Sequence, residues 1–326
     1  MNRSHMNVFT KIMTLTLLLA LSLAALAGQT VNQSLDAEPD GIVEIEHMSG
    51  KAKIVGWEQN QVKVEGELGD DTKEFIFRRK GASIELNVEV ERNDGWFWNN
   101  DGNIDGDDLT IYVPINSRVE YDATNASLQI QNINGSVSAE LVNGDIDANN
   151  LRGAIKLETV NGDIDAKQVS GTLDIETVNG DVEVMHEGDE EVQLEAVNGD
   201  LKLTSSAKDV SVETVNGSID FNLKQVRFVD AETVNGDILI SMDLLSGAVV
   251  KAESVGGRIR LALPSDVEAK FDIEVHAGGS IRNDLTADEP QKAEYGPRKW
   301  LSFTTGNPNA TVDINTVNGS VQLKRQ

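Results

Sequence analysis

Apolar and polar residues alternate along much of the chain in a frame of nine residues, in which the first, fifth and seventh positions are apolar. The fifth and seventh positions have the period of two that is expected of a β-strand with one buried face. The frame therefore predicts short strands, and it predicts that the first position also faces the interior. The positions that follow it without exception are Val142, Ile146, Ala148, Leu151, Ile155, Leu157, Val160, Ile164, Ala166, Val169, Leu173, Ile175, Val178, Val182 and Val184.

Every second frame begins with Val-Asn-Gly followed by Asp or Ser, and the first six copies lie 18 or 19 residues apart. Asn and Gly tolerate positive φ, so they predict a change of chain direction at each copy. The copies begin at Val142, Val160, Val178, Val197, Val215 and Val234, and they are followed by a degenerate Val255-Gly256-Gly257-Arg258 and a last copy at Val317.

Asn-Gly between alternating residues is also the strongest short signal for a β-hairpin. A two-residue hairpin would place Val178 and Asp181 on one face of the sheet and Val160 and Ile164 on opposite faces, against the pattern. A corner that joins two strands whose apolar faces point into the same interior agrees with the pattern. We therefore predict an all-β fold, a single-stranded parallel β-solenoid whose rungs hold two strands in about 18 residues. The six-residue period of hexapeptide solenoids is absent, which excludes the acyltransferase interpretation.

Parallel stacking of such rungs would bring like residues into columns. Glutamates such as Glu158 and Glu176 would form one column and aspartates such as Asp163 and Asp181 another, so neighbouring carboxylates would repel each other. We expect the asparagines beside them to form amide ladders that offset part of this repulsion. These asparagines are Asn143, Asn161, Asn179, Asn198, Asn216 and Asn235.

The frame extends toward both ends of the chain, which predicts one solenoid domain over residues 41–326 with its repeat core at 124–283. Two excursions interrupt the frame. Residues 61–122 hold longer alternating strands and predict a short antiparallel excursion near the N-terminus, whereas residues 283–311 contain several prolines and predict a loop. Residues 28–40 are expected to be an N-terminal linker.

Residues 1–27 have the features of a secretory signal peptide. Arg3 and Lys11 precede an apolar run that ends at Ala25–Ala27, where small residues suit a cleavage site. An uncleaved membrane anchor is the alternative, but the run has sixteen residues, fewer than the ~20 that span a bilayer. We expect an exported protein, in the periplasm or at the cell surface, without membrane insertion after cleavage.

The chain has 54 Asp and Glu residues against 28 Lys and Arg residues, a net charge of −26. Loss of residues 1–27 would leave 26 basic residues and a net charge of −28. Such a field repels a phosphate backbone, which excludes a nucleic-acid partner. Cysteine is absent, which excludes disulfides, thiol nucleophiles and cysteine metal ligands.

The repeated Glu-Thr-Val-Asn-Gly-Asp at Glu158–Asp163, Glu176–Asp181 and Glu232–Asp237, together with Thr316–Leu323, resembles the bacterial putative-adhesin family of exported β-strand-repeat proteins. The likeness covers about residues 41–323. The resemblance implies an envelope-associated β-solenoid. It implies no known activity and no catalytic residue.

The first excursion contains a candidate metal site. Asp101, Asn103 and Asp105 match the first positions of a calcium-binding loop, Asp-x-Asn-x-Asp-Gly. Tyr112 stands where such a loop has a bidentate acidic ligand, so any calcium site would be weak. An acidic turn that leads into a strand explains the same residues.

Trp96, Phe97 and Trp98 form an aromatic cluster in the same polar loop. They either cap the solenoid core or form an exposed contact surface for a glycan or a protein. The resemblance does not extend to this loop. The histidines after residue 27 are far apart in sequence, and we expect surface or strand-edge positions rather than metal ligands for them. They are His47, His186 and His276.

No nucleophile elbow and no phosphate-binding loop occur in the sequence. We therefore predict a non-catalytic module of the cell envelope, an adhesin or a structural protein, with no cofactor beyond a weakly bound calcium ion. Its partner would be an unidentified envelope protein or a glycan. Two alternatives remain: a carbohydrate-active β-solenoid lyase or hydrolase, and an envelope scaffold or stress-sensing protein that binds another protein through its acidic face.

Overall fold

The computed structural model describes residues 23–24, 28–90 and 106–326. All regular secondary structure in these ranges is β-strand. The all-β class that the sequence predicts is confirmed. No helix in these ranges is long and apolar enough to cross a membrane. The strands are β1 (Leu23–Ala24), β2 (Thr30–Asp36), β3 (Ile42–Trp57), β4 (Gln61–Glu67), β5 (Thr72–Lys80), β6 (Ser83–Val90), β7 (Asp107–Pro114), β8 (Arg118–Ile133), β9 (Val137–Asn143), β10 (Ile146–Leu151), β11 (Ile155–Asn161), β12 (Ile164–Val169), β13 (Leu173–Asn179), β14 (Val182–His186), β15 (Val192–Asn198), β16 (Leu201–Ser205), β17 (Asp209–Asn216), β18 (Ile219–Asn235), β19 (Ile238–Gly256), β20 (Arg258–Leu263), β21 (Ala269–Val275), β22 (Ile281–Asn283), β23 (Gln291–Lys292), β24 (Lys299–Thr304), β25 (Ala310–Thr316) and β26 (Ser320–Arg325).

The repeating unit is a pair of short strands joined by the Asn-Gly corner. β11 pairs in parallel with β9 and β13, and β12 pairs in parallel with β10 and β14. The register places Ile155 opposite Leu173, 18 residues further on, and Leu173 opposite Val192, 19 residues further on. The units therefore stack as successive rungs of a solenoid-like fold.

The strands belong to one continuous sheet that folds into two walls around a shared core. The first wall contains the first strand of each rung, such as β11, and the second wall contains the second strand, such as β12. Long strands run through a corner and belong to both walls; these are β3, β8, β18 and β19.

The fifth and seventh positions of the nine-residue frame fill the space between the walls, as their period of two predicts. Ile155, Leu157, Ile164 and Ala166 are each at most 2% exposed. Because successive rungs repeat these positions in register, the apolar side chains form a core that is continuous along the stack.

The burial of the residue at the first position of the frame differs between the two halves of a rung. Leu151 and Val169, which lie in the half without Asn-Gly, are buried. The prediction that the valines before Asn-Gly are also buried is wrong, since Val160, Val178 and Val215 are 41%, 39% and 36% exposed.

The alternation of the first strand explains this difference. Leu157 and Thr159 of β11 point inward, so Val160 points outward. Thr159 is buried, and its hydroxyl donates a hydrogen bond to the carbonyl oxygen of Gly144 in the preceding rung at 3.2 Å. Before Leu151, by contrast, Asn150 has a positive φ of 50°, which breaks the alternation and returns the next side chain to the core.

The glycine of each Asn-Gly corner lies directly against the backbone of the preceding rung. A Cβ on Gly180 would lie 1.9 Å from the carbonyl oxygen of Gly162, and one on Gly162 would lie 2.1 Å from that of Gly144. No side chain fits into that distance, so close approach is the reason for glycine here, and Gly162 is not among the residues with positive φ. Other glycines in the same situation are Gly199, Gly217, Gly236 and Gly257.

The asparagines form the amide ladder that the sequence predicts. Nδ2 of Asn161 donates to Oδ1 of Asn143 at 2.9 Å, and Nδ2 of Asn179 donates to Oδ1 of Asn161 at 2.9 Å. The ladder continues in both directions, so side-chain hydrogen bonds join the successive Asn-Gly corners from Asn143 to Asn235. Its members are Asn125, Asn143, Asn161, Asn179, Asn198, Asn216 and Asn235.

Both ends of the stack depart from sequence order. The rung of β3 lies between the rung of β6 and β7 and the rung of β8. The last rung in sequence, β25 and β26, lies between the rung of β19 and β20 and the rung of β21 and β22. Each of these rungs thus has a parallel neighbour on both sides.

Antiparallel strands cover the two ends. β4 pairs with β7 and β5 with β6 at one end, and β24 pairs with β21 at the other. The expected antiparallel excursion is therefore present. Residues 28–40 are not a linker, because Thr30–Asp36 forms β2 against β4 and Val31 is buried. Residues 283–311 are not only a loop, because they contain Lys299–Thr304 as β24.

A substitution at the corner tests the close approach of the rungs. We expect Gly180→Ala to lower the free energy of unfolding by about 3 kcal/mol, because overpacking a close backbone contact costs roughly 1–3 kcal/mol or more. Gly256→Ala is the matched control, since a Cβ there would meet nothing nearer than 3.8 Å. Urea unfolding of both variants measures the difference, and similar stability losses would contradict this explanation of the corner.

Candidate functional site

Two columns of side chains run along the outer face of the first wall. We call the first the valine column; in spatial order it contains Met48, Thr124, Val142, Val160, Val178, Val197, Val215, Val234, Val255, Val317 and His276. The second, two residues earlier on each strand, is the carboxylate column; it contains Glu46, Asp122, Glu140, Glu158, Glu176, Glu195, Glu213, Glu232, Glu253, Asn315 and Glu274.

The two columns line a shallow channel, which we call the valine groove. One part of it, of about 750 Å³, extends from Glu46 to Val215. A second part, of about 480 Å³, continues from Glu213 to Val317. With a rung spacing of ~4.8 Å, the ten spacings between the ends of the valine column give a length of about 48 Å.

The floor of the groove is apolar and exposed. The valines from Val142 to Val255 are 36–45% exposed. Single exposed valines are common on protein surfaces, but a continuous stripe of valines on successive rungs is a feature of interaction surfaces.

The middle of the carboxylate column has little compensating positive charge, whereas Glu274 at one end pairs with Arg298 at 2.6 Å. Lys156 pairs with Glu158 at 2.8 Å. Within the described residues, no salt bridge joins a basic side chain to Glu176, Glu195 or Glu213. Each of these carboxylates has like-charged neighbours one rung away on both sides, so the column is a line of negative charge along the groove.

The pKa values of three column members reflect this environment. Partial burial raises the pKa of Glu140, and the neighbouring carboxylate of Glu158 raises it further. The pKa values of Glu176 and Glu232 are raised for the same two reasons, burial first and neighbouring carboxylates second. A positive charge placed near these carboxylates would reduce the repulsion between them.

The aspartates after the Asn-Gly corner are in a different situation. The backbone N–H of Asp163 donates to Oδ1 of Asp145 at 2.9 Å, and that of Asp181 donates to Oδ1 of Asp163 at 2.8 Å. The same bond joins Asp200 to Asp181 and Ser218 to Asp200. A backbone donor stabilises each of these carboxylates, so this column needs no external cation.

A buried polar network lies beneath one end of the groove. Nε2 of His47 lies 3.2 Å from Oδ2 of Asp107, and Nδ1 lies 3.0 Å from the hydroxyl of Tyr121. Burial raises the pKa of Asp107, but hydrogen bonds from His47, Thr72 and Gly69 outweigh burial and leave the pKa below its usual value. The side chains of His47 and Asp107 are 1% and 0% exposed, so the pair cannot touch a substrate. Its role is to join β3, β7 and β8.

The expectation that all three histidines are surface or strand-edge residues is wrong for two of them. His47 and His186 are buried, and Nδ1 of His186 lies 2.9 Å from Oγ of Ser205. In the sequence, the one indication of their burial is that each falls at an inward-facing position in the alternation of its strand. His276 is exposed at the end of the valine column, as expected.

The site residues predicted from the sequence lie outside the described residues. This applies to the calcium candidate, Asp101, Asn103 and Asp105, and to the aromatic cluster, Trp96, Phe97 and Trp98. Among the residues that the structure describes, no group of three His, Asp or Glu side chains is arranged to hold a metal ion. The sequence did not identify the groove, because the frame assigned its valines to the core.

The sequence profile of the family described as Toastrack DUF4097 matches residues 42–324. A crystal structure of a "putative cell adhesion protein" from Clostridium sporogenes matches with 12% identity and a TM-score of 0.25, covering 91% of this chain and 100% of that chain. One of a "putative adhesin" from Bacteroides fragilis matches with 11% identity and a TM-score of 0.36, covering 90% of this chain and 97% of that chain. One of a "putative lipid binding protein" from Parabacteroides distasonis matches with 10% identity and a TM-score of 0.22, covering 91% and 98%. No curated protein matches the chain.

The raised pKa of Glu176 predicts how its removal changes stability with pH. A raised folded-state pKa means that ionisation destabilises the fold, so Glu176→Gln should stabilise the protein at pH above that pKa. The expected gain is about 0.5–1 kcal/mol at neutral pH, since like charges ~4.8 Å apart repel by about 0.9 kcal/mol even in water. The gain should vanish as the pH falls below the usual value of 4.5, where the wild-type side chain is protonated.

Urea unfolding at several pH values measures this difference. Glu183→Gln on the second wall is the control, because Glu183 pairs with Lys202 at 3.1 Å and should give no gain at any pH. If Glu176→Gln gives no gain in stability at neutral pH, or if its gain persists at low pH, repulsion between neighbouring carboxylates does not destabilise the fold at Glu176.

Proposed function

The chain belongs to the Toastrack DUF4097 family, and we propose that it is a non-catalytic interaction module of the cell envelope that binds its partner in the valine groove. The partner is an envelope protein or a glycan that presents positive charge. The observation that carries the proposal is the stripe of exposed valines beside carboxylates that lack basic partners. Apolar area gives affinity, and the line of charge selects the partner.

Export is part of this proposal. The N-terminal features of a signal peptide, Arg3 and Lys11 before an apolar run that ends at Ala25–Ala27, support it. The protein then acts in the periplasm or at the cell surface.

A binding role agrees better with the site than catalysis does. Catalysis needs acid and base groups that reach a substrate. In the described part of the chain, the His47–Asp107 pair is buried, and the exposed pair of His276 and Glu274 lies at the end of the groove, where Glu274 also forms a salt bridge with Arg298. The carboxylates of the groove repeat identically from rung to rung, which suits an elongated partner rather than one reaction centre.

Envelope binding by groove variants tests the proposal. Labelled protein comprising residues 28–326 is sedimented with envelopes from its own cells. We expect the triple variant Val160→Thr, Val178→Thr and Val197→Thr to bind about tenfold more weakly or worse, because each threonine keeps the β-branched shape but adds a hydroxyl to the contact.

The thermal midpoint of this variant should stay close to that of the wild type, because the three valines are exposed. The control variant Met185→Thr with Tyr295→Thr removes exposed apolar side chains outside the groove and should bind normally. Unchanged envelope binding by the valine variant would refute the groove as the binding site.

A further inference from the structure

We propose that the occupant of the valine groove is a basic segment in polyproline II conformation that lies along the stack, perpendicular to the strands. This inference rests on the proposed function of the groove. It follows from the spacing of the columns, from their separation and from the charge that they present.

The spacing along the groove matches a polyproline II chain. Such a chain has three residues per turn and rises ~3.1 Å per residue, so each turn spans about 9.3 Å. Two rungs of a parallel sheet span about 9.6 Å. Over four turns and eight rungs the two repeats differ by only about 1 Å, so a peptide of this kind stays in register along most of the groove.

Other regular conformations lose register sooner. An α-helix has a pitch of ~5.4 Å, so it shifts by about half a rung within four turns. Side chains on one face of a β-strand recur every ~6.6–6.8 Å, which does not match a rung spacing of ~4.8 Å. Polyproline II is therefore the backbone whose repeat fits the columns.

The arrangement across the groove matches the threefold symmetry of such a chain. Glu176 and Val178 are two residues apart on one strand, so their columns are about 6.6 Å apart. One residue of each turn then packs on the valines, and the next points toward the carboxylates. An apolar residue such as proline suits the first position, and lysine or arginine suits the second.

The amide ladder borders the other side of the valine column. Its bonds, such as that from Asn161 to Asn143, use one Nδ2 hydrogen of each asparagine. The second hydrogen of residues such as Asn198 can donate to a carbonyl group of the peptide. Polyproline II has no internal hydrogen bonds, so its carbonyl groups accept such donors.

The charge of the groove selects a basic sequence. Each lysine of the peptide would face two carboxylates, for example those of Glu176 and Glu195, which lie one rung apart. Neighbouring carboxylates, together with burial, raise the pKa values of Glu176 and Glu232, so a bound ammonium group relieves repulsion that is present in the unbound protein.

Fluorescence anisotropy with a labelled peptide of four Lys-Pro-Pro repeats tests the inference. We expect saturable binding to the protein comprising residues 28–326 at low salt, weakened by NaCl. A peptide of the same composition with its lysines unevenly spaced should bind about tenfold more weakly, and so should four Lys-Gly-Gly repeats, which must lose chain entropy to become extended. A lysine-rich amphipathic helix of equal charge should also bind more weakly.

A matched pair of variants locates the peptide. The triple variant Glu176→Gln, Glu195→Gln and Glu213→Gln should lose about tenfold in affinity or more. The control variant Asp165→Asn, Glu183→Gln and Asp220→Asn removes the same charge from the second wall and should bind like the wild type.

The outcomes separate this inference from the proposed function. Equal affinity for regular and irregular peptides, tighter binding of the helix, or equal loss in both variants would overturn the inference. If the valine variant loses envelope binding but no Lys-Pro-Pro binding is found, the groove binds another partner and only the inference fails. If envelope binding does not depend on the valines, the proposed function fails as well.

Discussion

The fold depends on the contact between the corner glycine of one rung and the backbone of the rung before it. A Cβ on Gly180 would lie 1.9 Å from the carbonyl oxygen of Gly162, so only glycine allows this approach. Because the contact recurs at each Asn-Gly corner, it fixes the stacking register of the rungs. Every residue of the 18- or 19-residue repeat then lies beside its own equivalents, and the side-chain columns follow from that register.

In-register stacking brings like charges together, and the molecule compensates them unequally. The corner aspartates receive a backbone N–H from the next rung, as from Asp163 to Asp145. The asparagines beside them bond to one another. In the carboxylate column, Glu176, Glu213 and Glu232 receive neither kind of hydrogen bond within the described residues. Raised pKa values at Glu140, Glu176 and Glu232 reflect their partial burial and the repulsion between neighbouring carboxylates. This repulsion beside exposed valines supports the proposed binding role of the groove.

Much of this fold can be predicted from the sequence, because each rung repeats the same alternation of apolar and polar residues and the same corner. The alternation of Ile155 and Leu157 predicts their burial, and the recurrence of Asn161 and Asn179 predicts the amide ladder. The orientation of Val160 was not predictable from the frame, since it depends on where the strand ends and the corner begins. That single ambiguity concealed the groove.

The order of the rungs at the two ends of the stack was also not predictable from the sequence. The placement of β25 and β26 between earlier rungs is a tertiary pairing with no local signal. The link between His47 and Asp107 joins residues 60 positions apart, and neither has a distinctive motif. Strand β2 pairs with a segment outside the repeat, so the nine-residue frame does not reveal it.

Distances between spin labels on the valine column test whether the repeats stack in register and leave this column on the surface. The chain has no cysteine, so labels are introduced cleanly at Val142→Cys paired with Val215→Cys, and at Val142→Cys paired with Val255→Cys. In-register stacking with this column on the surface predicts rapid labelling and backbone separations of about 19 Å and 29 Å, for four and six rungs of ~4.8 Å. Slow labelling, or a second distance that does not exceed the first by about two rungs, would contradict it.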